Sequence, residues 1–416
     1  MKKCVYKGNE YLLPDIYLNA VINKLDEENE DYSIYSLKNI DPYRNREEIE
    51  LIICDERYTG RFIAHDLEFT KMDSHFSLLS SSYCTIDDHN RTFISLLKNE
   101  KLTFRVLNIS VGAPILDVKK KFKLQVCGLG DVGGTMLEGL RLLAGREITE
   151  IGIYDRNEDK KDRWYREANQ ILRPDLTYMP PVKVLREEDL FTGDVFIFCV
   201  TAAVPGVGQE NSGDVRLIQF EKNAAILESY VKLAGERGYK GDFFIVSDPV
   251  DQLCMHAHSL KILRSQQIRG FGLGVMYARA IFHARELGLD HKELKVYGPH
   301  GNGLLVLNSL SDYDVAVSDE LTDLTRGENL AIRKTGFKPY VGPALSSGAI
   351  SILRCLKGDW HYSSTLLDGI WFGAKNMVDG LYTRYECLPL MEEFHERLAE
   401  TRAIVEKAYH DAKVAK

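Results

Sequence analysis

Several features that would each point to a class of protein are missing from this chain of 416 residues. No apolar run approaches the length a membrane helix needs, so a membrane partner is not expected. The opening MKKCVYKGNEYLL carries lysines and lacks the apolar core of a secretion signal, which makes the cytoplasm the expected location. Positive charge is in deficit: 53 Lys and Arg face 61 Asp and Glu, for a net charge of −8, which offers no footprint for nucleic acid or an anionic membrane surface. The 8 cysteines are scattered without a CxxC pair or finger spacing, against a disulfide framework or a zinc site. Cys127 and Cys199 sit in apolar strand patterns and read as small core residues. Internal repeats and low-complexity tracts are absent too. A globular chain remains, 44% hydrophobic and 27% charged, with core enough for two or three domains.

The stretch Lys123 to Asp155, KLQVCGLGDVGGTMLEGLRLLAGREITEIGIYD, is the one on which the rest is organised. It reads as a buried strand, a glycine-rich turn, a helix and a second strand ending in an acid. Gly128 permits the tight turn, Gly130 lets a pyrophosphate approach the backbone, and Gly133 lets helix and strand pack closely. The helix start then offers free N–H groups and the positive end of its dipole to phosphates. Asp155 stands where a carboxylate can accept from ribose hydroxyls, and its charge would repel a 2′-phosphate, which favours NAD over NADP as cofactor. Arg156 beside it is the counter-argument.

Around this unit we expect three domains. Residues 1–118 read as a small α/β domain of unrecognised type, with helical stretches over 16–29 and 91–100 and strands over 48–56 and 102–110. Residues 112–121, with Pro114 and three successive lysines, look like a linker. Residues 119–267 continue the strand–helix alternation: a helix over 161–172, strands over 182–185 and 194–200, a helix over 222–237 and a strand over 243–247. Such a succession predicts a Rossmann-type, doubly wound parallel sheet with ligands at the carboxyl ends of its strands. The strand ends TAAVPG (201–206) and SDPVD (247–251) are therefore the places to look for chemistry. Residues 268–416 form a mixed α+β substrate domain: a helix over 275–289, a strand over 294–297, the turn GPHGNG, a helix around 346–356, strands around 369–385 and a long amphipathic helix over 390–413.

Seven short strings stand in one order: GLGDVG, IYD, VTAAVPG, RLIQFEKN, SDPVD, FGLG followed by AR, and GPHG. On these the chain from about residue 122 to 413 resembles the lactate/malate dehydrogenase family. The first 118 residues lie outside the resemblance. It implies hydride transfer between a nicotinamide and a 2-hydroxy or 2-oxo acid, with a homodimer or homotetramer as the assembly. By matched position, His300 is the acid/base that exchanges the hydroxyl proton, suited by an imidazole that titrates near neutrality. Arg279 holds the substrate carboxylate through its fork, and Arg216 polarises the carbonyl from a mobile loop. Gly128, Gly130, Asp131, Val132, Gly133, Asp155, Thr201 and Ala202 would line the cofactor.

Three departures matter. The family's LDxAR, whose aspartate bonds the catalytic histidine, reads VMYAR here, with Met276 at the aspartate position. The family's NPVD reads Asp248-Pro249-Val250-Asp251. Asp248 could replace the missing partner of His300, face a cationic substrate group, or merely end a strand. The loop Pro205–Arg216 lacks the first arginine by which malate enzymes hold a second carboxylate, which disfavours malate, and Gln209 is a candidate for facing the substrate. The leading expectation is an NAD-dependent dehydrogenase of a small-molecule carboxylate that is not malate. The alternatives are a catalytically silent NAD(H)-binding protein with a regulatory role, and an NAD-dependent glycosidase using Cys254 and His256 on a metal.

Overall fold

The computed structural model describes residues 121–202, 214–367, 370–379, 382–386, 388 and 390–414, together with six short strands among the first 64 residues. The chain divides into two compact units, one of Met1–Val118, Leu366–Gly369 and Val378–His395, the other of Lys119–Thr365, Ile370–Met377 and Glu396–Lys416. In the first unit β1 (Lys2–Tyr6) and β2 (Asn9–Leu13) form an antiparallel pair. β3 (Asn23–Lys24), β4 (Tyr35–Asp41) and β5 (Arg46–Glu50) form an antiparallel set, and β6 is Ile63–Ala64. The helix expected over 16–29 is therefore corrected at Asn23 and Lys24, which pair with Ser36 and Tyr35. Cross-strand pairing there overrides the helical spacing. The helix over 91–100, the strand over 102–110 and most of the linker lie outside the described residues.

The second unit opens with β7 (Phe122–Cys127), the glycine turn, α1 (Asp131–Leu143) and β8 (Ile148–Tyr154). Then come α2 (Glu158–Asn169), β9 (Val182–Val184) and β10 (Val195–Phe198). α3 (Asp214–Glu236), β11 (Asp242–Ile245), α4 (Val250–Ser259) and β12 (Ile268–Gly270) follow. Strand order is β9-β8-β7-β10-β11-β12, every neighbouring pair parallel. That is the doubly wound order 3-2-1-4-5-6, whose reversal lies between β7 and β10. The strands are apolar on both faces because both faces are covered: Val195, Phe196, Ile197 and Phe198 are all fully buried. Burying each phenylalanine contributes about 1.5–3 kcal/mol.

The remainder begins with α5 (Leu273–Glu286), the hairpin of β13 (Lys295–Tyr297) and β14 (Leu305–Leu307), and α6 (Val315–Lys334). A π-type turn at Pro343–Ile350 runs into α7 (Ser351–Leu356). β15 (His361–Leu367) lies antiparallel to β12, with β16 (Ile370–Asp379) beside it. In the first unit β17 (Tyr382–Tyr385) pairs with β6, and α8 (Glu392–Val414) ends the described chain. In the second unit four elements have no counterpart among the expected ones: β12, β14, β15 and α6. The buried face of α6 carries Ser318, Thr322 and Thr325 beside a single leucine, Leu321. Ser318 and Thr322 bond the main chain of Val306, so hydrogen bonds hold this face together with the packing of Leu321.

Candidate active site

The glycine turn is built by close approach. At Gly128, φ is +96° and an added Cβ would stand 2.8 Å from the main chain of Cys199. At Gly133 it would stand 1.9 Å from the Gly128 carbonyl oxygen. Both positions therefore require glycine for packing. Gly130 differs: a Cβ there would meet nothing within 4 Å, so the turn faces open space at the start of α1. Asp155 ends β8 with its carboxylate turned to the turn, Oδ2 accepting from Leu129 N–H at 2.9 Å and Oδ1 from Asn157 N–H at 3.0 Å. Lys160 Nζ lies 3.9 Å from Oδ2. α2 pins the same turn through Trp164 Nε1, which donates to the Leu129 carbonyl at 3.2 Å. Asp131, exposed in the first turn of α1, pairs with Lys338 at 2.9 Å, and Val132 is half-buried next to it.

The ends of β10 and β11 are tied by one amide. Asn223, fully buried on α3, accepts from Ala202 N–H at 2.8 Å and donates to the Asp248 carbonyl at 2.7 Å. Thr201 and Ala202 are exposed there. The Asp248 side chain reaches His300 in the turn between β13 and β14: Nδ1 of His300 and Oδ1 of Asp248 are 2.9 Å apart. The ring side is little exposed, 7% for His300 against 50% for Asp248. The main-chain N–H of His300 donates to Oδ2 of Asp251 at 3.0 Å. Gly272 walls the other side, since a Cβ there would be 2.7 Å from that of His300.

Arg279 lies on α5, 6% exposed. Burial pulls its pKa below the usual guanidinium range, against the opposing pull of Glu328 and Asp248. Its Nη2 donates to Oδ1 of Asn329 on α6 at 2.5 Å, and Nη1 touches the Met276 sulfur at 3.7 Å. Thus Met276, buried where a carboxylate was sought, packs on the arginine. One turn along, His283 and Glu328 pair at 2.9 Å, and Arg326 donates to Asn302 of the histidine turn at 3.0 Å.

Arg216 is corrected from loop to helix. α3 starts at Asp214, an acid suited to a helix N-terminus. The Arg216 side chain and Gln209 lie outside the described residues. Cys254 and His256 are buried in α4; burial drives the Cys254 thiol well above its usual range, and His256 faces Glu228 at 3.5 Å. Among the described residues no cluster of three or more His, Cys, Asp or Glu could hold a metal. Asn329, Asn223 and Gly272 join the site from outside the candidate set. Asn223 and Gly272 had a signal in RLIQFEKN and FGLG, whereas Asn329 sits on an element the pattern did not reveal.

A glycine turn at the switch point of a 3-2-1-4-5-6 parallel sheet defines a Rossmann-type, doubly wound α/β protein. No family model matches the chain. It is 30% identical over 190 residues to an L-lactate dehydrogenase of Treponema denticola, covering 44% of this chain and 56% of that one. With an L-lactate dehydrogenase of Lactobacillus delbrueckii subsp. bulgaricus the identity is 28% over 282 residues, 62% of this chain and 88% of the relative. The fold is similar to malate dehydrogenase from Archaeoglobus fulgidus solved with NADH, at a TM-score of 0.59 and 19% identity over 70% of this chain and 99% of that one. The chain spans about half the length of the first of these relatives, and it is similar, at low identity, to lactate and malate dehydrogenases.

Proposed function

We propose that the chain is an NAD-dependent oxidoreductase acting on a 2-hydroxy or 2-oxo acid other than malate, with residues 119–267 binding the cofactor and 268–416 completing the substrate site. The observation that carries this reading is the 2.9 Å contact between His300 Nδ1 and Asp248 Oδ1. A carboxylate on Nδ1 fixes the tautomer and stabilises the imidazolium, leaving Nε2 to exchange a proton with the substrate oxygen.

The turn fits a dinucleotide on its own geometry. Open space over Gly130 leaves room for a pyrophosphate at the start of α1. Each Asp155 oxygen already takes one main-chain N–H and has a second lone pair for a ribose hydroxyl. When bound, NAD supplies the hydride acceptor or donor. Arg279 binds the substrate carboxylate, with Asn329 holding its fork. Arg216, in the first turn of α3, is proposed to polarise the carbonyl, and Gln209 to face the substrate. The segment 205–216 carries no arginine before Arg216, which argues against a dicarboxylate such as malate.

The test is oxidation of NADH, followed by absorbance, across a panel of 2-oxo acids that includes pyruvate and oxaloacetate. Turnover is expected on a monocarboxylate, with His300→Ala slower by about 10²–10⁴-fold, the usual range for a general acid/base. Binding of NADH with no turnover on any acid would instead leave a silent nucleotide-binding protein. Asp248→Asn separates partner from bystander: its pH–rate profile should move to lower pH, and an unmoved profile removes Asp248 from the mechanism.

A further inference from the structure

His300 is held by a second acid of the same segment. Asp248 and Asp251 flank the start of α4 three residues apart, and both reach across to the turn between β13 and β14. Asp248 takes the ring at Nδ1, whereas Asp251 takes the main-chain N–H through Oδ2 at 3.0 Å. Asp251 is 4% exposed, and burial pushes its carboxyl above the usual range, against the opposing pulls of the Ser364 hydroxyl and of His300. A carboxylate in the first turn of a helix ordinarily serves that helix's own N–H groups. This one serves its own N–H and also reaches a residue 49 positions away, across from a glycine wall at Gly272 that admits no Cβ.

We propose that Asp251 is a positioning residue for His300: its buried carboxylate anchors the histidine main chain so that the imidazole is presented to Asp248, and its charge adds to that of Asp248 beside the imidazole. The inference rests on the reading of His300 as the acid/base. A bond to the main chain alone would satisfy the turn with any acceptor. A carboxylate does more, because a negative charge close to the ring favours the imidazolium. The charged groups around His300 are Asp248 at Nδ1 and Asp251 at the main-chain N–H, with Arg279 on α5 interacting with Asp248.

The experiment uses the full chain and follows the imidazole nitrogens of His300 by NMR as pH is varied, in the wild type, Asp251→Asn and Asp251→Ala. Asn keeps an acceptor for the N–H and loses only the charge, so the His300 midpoint should fall by about half a unit to one unit while a single tautomer persists. Ala removes the anchor as well, and the Nδ1 proton signal should broaden into exchange. If Ala does not fold, the Asn variant decides alone. A His300 midpoint unmoved in Asp251→Asn overturns the proposal. Turnover of NADH with pyruvate and the other 2-oxo acids is measured in parallel. A midpoint shifted in Asp251→Asn, with a wild type that turns over none of them, keeps Asp251 as anchor and discards the dehydrogenase reading. Turnover with an unmoved midpoint does the reverse.

Discussion

At the scale of single residues, the glycines of the nucleotide turn make separable predictions. Gly133→Ala drives a Cβ to 1.9 Å from a carbonyl oxygen, and only a main-chain shift relieves it, so loss of both folding stability and NADH binding is expected. Gly130→Ala meets nothing within 4 Å and should leave the melting temperature nearly unchanged, yet weaken NADH by more than about tenfold, because its methyl group would occupy the space reserved for the pyrophosphate. Fluorescence titration with NADH checks both, and equal affinity in Gly130→Ala would mean that the phosphates lie elsewhere. Asn329→Ala leaves one arm of the Arg279 fork without its acceptor. A rise in KM for the 2-oxo acid of about tenfold, with a smaller change in kcat, is expected from the loss of ground-state binding.

At the scale of elements, one carboxylate organises the segment that leads into α6. Oε2 of Glu293 accepts from the Ser309 hydroxyl, from the N–H groups of Leu310 and Ser311 and from the Ser311 hydroxyl, at 2.8–3.0 Å. These bonds, that of the Ser309 hydroxyl first, lower its pKa from 4.5 to about 2. A carboxylate depressed in the folded state contributes stability that is present above its unfolded pKa and lost as pH falls through the folded one. Acid unfolding of the wild type between about pH 4.5 and 2 should therefore be steeper than that of Glu293→Gln, as followed by circular dichroism. Parallel unfolding curves would remove Glu293 from the acid transition. This segment also shows where pattern reading stops. α6 was not legible because Ser318, Thr322 and Thr325 interrupt the buried face around Leu321, and with it went Asn329, Glu328 and Arg326. By contrast, β7, α1, β8, α2 and β10 were legible, since strands buried on both faces and a helix packed by Met136, Leu137 and Leu140 follow the apolar periods closely.

At the scale of the whole molecule, the proposed cofactor should couple to folding. A ligand that binds only the native state stabilises by about 2.7 kcal/mol at a concentration a hundred times its Kd. Calorimetry with saturating NADH should raise the melting temperature of the unit that contains the glycine turn. An unmoved transition would show that NADH does not bind the native state.

What the sequence by itself determined is the order of the candidate groups along the chain: a glycine turn and Asp155, then the strand ends at Thr201 and Asp248, then Arg279 and His300. Local apolar periods and turn residues suffice for that, because a strand, its turn and the next helix are neighbours in the chain. Tertiary structure alone decided which of these meet. The Asp248–His300 contact spans 52 residues and the Arg279–Asn329 contact spans 50. Both depend on how α4, α5, α6 and the β13–β14 turn pack. The sequence left Asp248 open between partner, cation site and strand end; packing brought its carboxylate to 2.9 Å from the imidazole, because the turn of the separate β13–β14 hairpin is anchored by Asp251 at the start of α4, beside the carboxyl end of β11.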